Sequence, residues 1–533
     1  MIKTVRLCLP GCWLLLSLLA GLPTHAQAPA WQTAVTLGPA ADISGSPTPN
    51  SYYAVTATAP DAAGNVFLVG SYAGTVAFGG TTLTSGAIGD DSFVAKWNTA
   101  GGTFVWARRG SNAAGTSYAT PFGVAVDGTN VYVAGTFSGT TTVFGSPSQT
   151  RTGANYSDAF VVKLTDAGTS SSYGWLQRSV STGSDGPDNS VTLAGSGSNV
   201  YLLGHFRGAM AFGGTSLTAV SGSSSFNGSE YFLAKLVDAG STGAFGWARV
   251  SNGAPAKVAA NGGSVYVAGV FDGPIVAFGA TTLTNTNAQN RDIFVVRIID
   301  MGTSSGFSGA QQAAGASRDR VFGLGATATG AVVTGDFQGP AAFGGLTLPG
   351  SGSFGNYEAK WNPTSGAFDW AQQSDYFVEG VVANGTSLYL AGSFRTGNFG
   401  STTLTSIGGG TSSDAFVARF TPAGSGPGFN WVQRAGGADD DRATDVSVGG
   451  TRLYVNGTFA SSPAMFGSLK VPSAPYPAYS QLLASIAADG TWGWVRPLGT
   501  PSLPLPGTVA LGTGSDALYV VRTGAASARL VIE

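Results

Sequence analysis

Few residues in this 533-residue chain can do chemistry, and their types narrow the choice at once. The two cysteines, Cys8 and Cys12, and one of the two histidines, His25, all fall within the first 26 residues. Beyond that point only His205 is left, which excludes a cysteine–histidine nucleophile, a multi-histidine metal site and a thiolate metal site there. A serine–histidine–aspartate triad would have to use His205. That residue follows Gly204 at a position held elsewhere by Ser71, Thr136, Val270, Asp336, Ser393 and Thr458, so it reads as variation within a repeat. Paired carboxylates are the remaining hydrolytic route, with glutamates at Glu230, Glu358, Glu379 and Glu533 and a larger number of aspartates, most of them at turn positions. The cluster Asp439, Asp440 and Asp441 with Asp445, and the equivalent loop with Asp185 and Asp188, offers hard oxygen ligands suited to calcium. Calcium is the one cofactor the residues suggest. No regular Asp-x-Asp-x-Asp-Gly spacing accompanies them, and solvated loops built on Asx turns are the competing reading.

Recurring residues carry a second set of candidates. A strand of the type Asp-Ala-Phe-Val-Ala-Lys occurs at Asp91–Lys96, Asp158–Lys163, Glu230–Lys235, Asp292–Arg297 and Asp414–Arg419. Its acid and its base are five residues apart, so on a strand they face opposite sides and read as contacts at a sheet edge, not as a catalytic pair. Asp166-Ala167-Gly168 and Asp238-Ala239-Gly240, each followed by a tryptophan, are similar in outline to the sialidase Asp-box, but they lack its leading serine and its short spacing to Trp. The regular Trp and Phe positions would suit stacking on sugars, yet their fixed spacing favours packing between repeated units.

The elements that carry these residues repeat. A Val-Tyr-Val-Ala-Gly-like strand closes on Gly70, Gly135, Gly204, Gly269, Gly335, Gly392 and Gly457 at intervals of 57 to 69 residues, and Arg522 takes the place of the glycine in an eighth copy. Each of the first seven copies continues with a Phe-Gly pair, at Phe78, Phe144, Phe212, Phe278, Phe343, Phe399 and Phe466. The acid-to-base strand follows, and then a tryptophan strand at Trp106, Trp175, Trp247, Trp370, Trp431 and Trp494. A short strand such as Gly123–Asp127 precedes each Tyr strand, joined to it by pairs such as Asp127-Gly128 and Asn384-Gly385 that suit a tight hairpin. Alternation with period two and β-branched content predict β-structure throughout. Four strands per unit, repeated at this period, predict an all-β fold: a β-propeller of four-stranded antiparallel blades. Eight blades are expected, with seven and an irregular eighth as the alternative. The last copy supplies three strands, within Gly507–Leu511, Leu518–Val521 and Arg529–Glu533, and Trp31–Leu37 resembles an orphaned tryptophan strand. The N-terminal segment is therefore expected to complete the last blade and close the ring.

Lys3 and Arg6, the apolar run Trp13–Leu22 and the small-residue exit at Ala26 mark residues 1–26 as a signal peptide, leaving 27–533 as one domain outside the cytoplasm, secreted or periplasmic. The formal net charge is −2 and only 10% of residues are charged, which gives neither a basic footprint for nucleic acid nor a polybasic membrane patch. No apolar run of membrane-spanning length follows the signal segment. Aromatic residues make up 11% of the chain and apolar ones 43%, enough to build a core despite 81 glycines.

The strands Asn130–Gly135, Asp158–Lys163 and Gly436–Val448 resemble the bacterial SBBP repeat, named for a seven-bladed β-propeller, over nearly the whole chain after residue 26. The resemblance implies a secreted or surface propeller. Together these readings favour a monomeric, non-catalytic module that binds an extracellular protein or glycan. The rival is a hydrolase or lyase acting on polysaccharide with Asp or Glu gathered at a channel mouth.

Overall fold

The computed structural model describes residues 38–39, 52–61, 63, 65–86, 91–98, 103–112, 118–138, 141–151, 157–181, 191–219, 230–251, 253–285, 290–315, 317–350, 354–423, 426–449, 452–471, 480–497, 508–511, 518–522 and 529–532. The proposed signal peptide and the segment Trp31–Leu37 lie outside the described residues. So do Asp185 and Asp188.

Among the described residues every element is a strand, and consecutive strands build consecutive antiparallel meanders. Sheet 1 consists of Tyr52–Pro60, Val66–Ala73, Asp91–Asn98 and Thr103–Asn112, and sheet 2 of Tyr118–Asp127, Asn130–Ser138, Asp158–Asp166 and Ser171–Ser181. Sheet 3 is Thr192–Ser196, Asn199–Phe206, Glu230–Asp238 and Gly243–Ser251, and sheet 4 is Ala254–Asn261, Ser264–Phe271, Asp292–Asp300 and Ser305–Gly315. Sheet 5 comprises Arg320–Thr327, Gly330–Gln338, Phe354–Asn362 and Ala367–Ser374, and sheet 6 Tyr376–Asn384, Ser387–Phe394, Asp414–Ala423 and Gly426–Gly436. Sheet 7 contains Asp441–Gly449, Arg452–Phe459, Ser480–Ala487 and Trp492–Pro497. Sheet 8 has three strands, Thr508–Leu511, Leu518–Arg522 and Arg529–Ile532. First strands of successive sheets lie beside one another. Among the described residues no helix is long and apolar enough to cross a membrane.

The core lies between sheets. Each apolar cluster joins one face of a sheet to the opposite face of the next: Tyr132, Val161 and Trp175 of sheet 2 pack with Val200, Leu202 and Phe232 of sheet 3, and Tyr201, Leu233 and Trp247 of sheet 3 with Val267, Phe294 and Val296 of sheet 4. Middle strands are consequently buried on both sides: all but the end residues of Asn130–Ser138 and seven consecutive residues of Asp91–Asn98 are covered. The expected two-residue alternation fails there for that reason and survives in the small hairpins, which have one wet face.

The Gly that closes the second strand is fixed by a bulge in the first. The register slips between Pro121 and Gly123, Val321 and Gly323, and Val378 and Gly380, leaving one unpaired residue in each first strand. The bulged backbone backs onto the glycine. A Cβ on Gly392 would lie 1.8 Å from the Phe377 carbonyl oxygen, and one on Gly335 1.9 Å from that of Arg320.

Each Phe-Gly pair forms a hairpin between the second and third strands. In Thr75–Phe78 and Thr81–Thr84 the turn residue Gly79 has φ 57°, the left-handed conformation that a two-residue turn requires of its first loop position. The phenylalanine is wedged against its own sheet: the Phe212 ring lies 4.8 Å from Phe232 and 5.1 Å from Phe245. The backbone of the hairpin reaches the preceding sheet, where Phe212 pairs with Ser179, Phe343 with Ala313 and Phe466 with Ala435. In sheet 1 this place is taken by Gly38–Pro39, with Gly38 opposite Ala77 and Pro39 opposite Val76.

Candidate functional site

The recurring lysine does not meet the acid of its own strand. Lys163 stands at the bulge that sets Gly174 and Trp175 of the fourth strand against one residue of the third, the place where the neighbouring sheets pair Lys96 with Trp106 and Lys235 with Trp247, and both Lys163 and Trp175 side chains reach sheet 3. There they meet Asp238, in the Asp-Ala-Gly turn after the third strand of sheet 3. Its carboxylate accepts Lys163 Nζ at 2.6 Å, the Tyr132 hydroxyl at 2.7 Å, Trp175 Nε1 at 3.0 Å and the Gly240 amide at 2.9 Å. Asp300 repeats the arrangement one sheet on, with Lys235 Nζ at 2.6 Å, the Tyr201 hydroxyl at 2.7 Å and Trp247 Nε1 at 3.1 Å. Asp166 receives Lys96 at 2.5 Å and Trp106 Nε1 at 3.0 Å. Burial is the largest single effect on the Asp238 and Asp300 carboxyls and pushes them up, but their hydrogen bonds outweigh it and hold both below the ordinary carboxylate range.

These acids are latches between sheets, with every charge answered by protein. Later contacts lose the latch: Arg297 turns to Ser264 Oγ at 2.8 Å, Lys360 pairs with Asp369 of its own sheet at 2.9 Å, and Trp370 Nε1 has no acceptor. Trp106, Trp175, Trp247 and Trp370 are buried and give no platform to a sugar, and the half-buried Trp431 donates Nε1 to the Ala488 carbonyl at 2.9 Å.

The acids that open the third strands are used inside the sheets. Asp91 pairs with Arg109 at 2.6 Å, Asp158 with Arg178 at 2.7 Å, and Asp292 accepts Gln312 Nε2 at 2.7 Å. Asp414 and Asp441 come together, because a Cβ on Gly436 would stand 2.5 Å from Asp414 Oδ1 and 2.7 Å from Asp441 Oδ2. Both are fully buried, and burial raises each to about 6. Asp319 at the start of sheet 5 is raised to about 7, by burial first and then by the negative charges of Asp292 and Asp336. Glu358 stands where other copies have an aliphatic residue. It accepts Gln372 Nε2 at 2.8 Å, and burial raises it to about 7.

The proposed calcium residues have separate employments. Asp441 accepts the amides of Gly437 at 2.8 Å, Ala460 at 2.9 Å and Ser461 at 3.1 Å, and the Ser461 hydroxyl at 2.5 Å. Asp440 caps Ser413 through its amide at 2.8 Å and its hydroxyl at 2.9 Å, and the Asp439 amide donates to Ser461 Oγ at 2.9 Å. The Asp445 backbone pairs with Asn456, and its side chain lies outside the described set. Among the described residues no three His, Cys, Asp or Glu side chains gather as metal ligands. His205 packs its ring 5.9 Å from Tyr231, its partner across the strand pair.

No family model matches the chain, and no curated protein matches it. Among solved structures it is similar to a protein assigned as a 6-phosphogluconolactonase from Bacteroides uniformis, at 12% identity over 70% of this chain and 90% of that one, with a TM-score of 0.29. It is also similar to Trypanosoma rangeli sialidase in complex with the inhibitor DANA, at 11% identity over 90% and 84%, with a TM-score of 0.28. Neither superposition is close enough to carry a fold or a site over to this chain.

Proposed function

We propose that this chain is a secreted, non-catalytic β-propeller whose loops and first-strand ends bind an extracellular partner, a protein or a glycan. The observation that carries this reading is the employment of the acids. Catalysis on polysaccharide needs two carboxyls that reach one sugar. One such pair, Asp414 and Asp441, is sealed from solvent at 0% and 1% exposure, and the recurring acids described are engaged as latches and caps.

A closed ring of eight blades is part of the proposal. Thr508–Leu511 lies beside both Asp441–Gly449 and Tyr52–Pro60, which supports continuity from the last sheet back to the first. Gly38–Pro39 occupies the place that the end of a preceding fourth strand takes at the hairpins of sheets 2, 3, 5 and 7, which supports the chain leading into it as the fourth strand of sheet 8. The leader and the resemblance to the SBBP repeat support export.

The test is a glycan array and a panel of surface proteins probed with the purified mature chain, run beside an assay for new reducing ends or unsaturated sugars. Saturable binding without product is expected. Turnover that disappears in Asp414→Asn or Asp441→Asn would establish the enzyme instead.

A further inference from the structure

At the opening of sheets 5, 6 and 7 the first strands carry a band of side chains that no latch or core cluster uses. The Arg320 guanidinium lies 5.0 Å from the Phe322 ring centre and 5.2 Å from that of Phe354, which is 47% exposed. Phe322, the bulged residue of sheet 5, meets Phe377 of sheet 6 edge to face at 4.9 Å. Two residues on from Phe377, Glu379 is the bulged residue of sheet 6. It reaches Arg442 of sheet 7 at 3.7 Å. The equivalent residues of sheet 4 are Ala254 and Ala256, so the band belongs to three sheets and not to the repeat.

The two arginines differ in what they have left to give. Asp336 takes the Arg320 fork, with Nε to Oδ1 at 2.8 Å and a second contact from Nη2 to Oδ2, leaving the planar face for the aromatic rings. The Arg442 side chain is 57% exposed, and among the described residues its ion pair is a single long contact to Glu379, which leaves a face of the guanidinium to a two-pronged oxyanion. Asp441 beside it is saturated by backbone amides and Ser461. About 7 Å along the strand separates Glu379 from Phe377. The Arg442 guanidinium, 3.7 Å from Glu379, and the Phe377 ring therefore flank the same stretch of the first strand of sheet 6.

We infer that the opening of sheets 5 to 7 is the binding surface for a carboxylate-bearing polysaccharide, with a uronate carboxylate on Arg442 and the apolar face of a sugar ring on Phe322 and Phe377. A polymer suits a band that crosses three sheets. Charge complementarity selects an acidic one, because the exposed Arg442 guanidinium has a single 3.7 Å contact to Glu379 for its ion pair. The inference rests on the proposed binding role and names its ligand class.

The experiment is titration of the full mature chain with oligogalacturonate, with the carboxyl-reduced oligomer and with polyglutamate at one ionic strength, monitored by calorimetry. Oligogalacturonate is expected to bind at least about tenfold tighter than the reduced oligomer, the scale of one charge-assisted pair. Arg442→Gln should abolish that preference, Phe377→Leu should weaken both sugars, and Glu379→Gln should tighten the acidic one by removing the competing carboxylate. An unchanged melting curve of Arg442→Gln, the exposed one of the three sites, secures the comparison. Equal affinity for the reduced oligomer, indifference to Arg442→Gln, or equally tight Arg442-dependent binding of polyglutamate would each overturn the inference. A glycan bound without help from Arg442 would overturn it while leaving the binding role in place, whereas silence toward every glycan and protein tested would remove both.

Discussion

Removing Asp238 isolates the energetics of the latch. Asp238→Ala leaves the Lys163 ammonium, 5% exposed, without its counter-ion and takes the acceptor from Tyr132, Trp175 and the Gly240 amide. Breaking one side of a buried pair costs about 3–5 kcal/mol, because the surviving charge is left desolvated. The entropy of unfolding, about 2 cal/mol/K per residue, comes to roughly 1 kcal/mol/K for a domain of this length, so the midpoint should fall by about 3–5 °C. Replacing both partners, Lys163→Met with Asp238→Leu, removes the stranded charge and should recover about half of the loss or more. Urea titrations followed by circular dichroism, with all four members of the cycle, give the coupling directly. A double variant as damaged as Asp238→Ala would refute the claim that the penalty is a desolvated lysine. It would point to lost shape complementarity instead.

Buried carboxyls give a pH dependence of opposite sign to the latch. Asp319 sits at about 7 against an ordinary 3.8, so it contributes stability that is complete below about pH 4 and is lost as pH rises through 7. Three units correspond to about 4 kcal/mol. Asp319→Asn should therefore be more stable than the parent at pH 8 and should flatten the profile between pH 5 and 8; an unchanged profile refutes the assignment. Gly392→Ala, whose Cβ would lie 1.8 Å from the Phe377 carbonyl oxygen, should cost several times as much as Gly128→Ala, where φ is 58° and no atom lies within 4 Å. The latter faces only the left-handed penalty of about 1–2 kcal/mol, and equal losses in thermal melts would show that the bulge yields. Because Asp441 is already saturated and Asp440 caps Ser413, millimolar calcium or a chelator should leave the melting midpoint in place, and a rise with calcium would restore the cation reading. Deleting residues 27–39 should lower the midpoint sharply if that segment completes sheet 8.

Strand order and repeat length were readable because they are local. Gly128 and Gly385 take φ 58° and 62° in the hairpins expected from Asp127-Gly128 and Asn384-Gly385, and the three strands of sheet 8 fall where the sequence pattern puts them. The latch was not local, since Lys163 and Asp238 lie in different units and the reading stopped at the acid of the same strand. A signal was present: the base is Lys where the following unit has Asp-x-Gly after its third strand, at Lys96, Lys163 and Lys235, and becomes Arg297 where the next turn is Asn362-Pro363-Thr364. The Arg320 to Arg442 band left no trace of that kind, because its members come from different sheets and depend on bulges that only the register reveals. The paired carboxyls at Gly436 were equally hidden, because a glycine that brings two acids together looks like any other glycine in the chain.

The hairpin of sheet 1 carries a consequence for the order of assembly. In sheets 2, 3, 5 and 7 the hairpin docks on residues that have already been synthesised a few tens of positions earlier, so each of those units is templated by its predecessor as it emerges. Gly38–Pro39 meets Ala77 and Val76 just as early, which anchors the leading end of the polypeptide long before the final three strands exist. Under the proposed ring closure, an anchored end held in waiting reduces the entropic cost of the last long-range encounter, because only one of the two edges still has to be found.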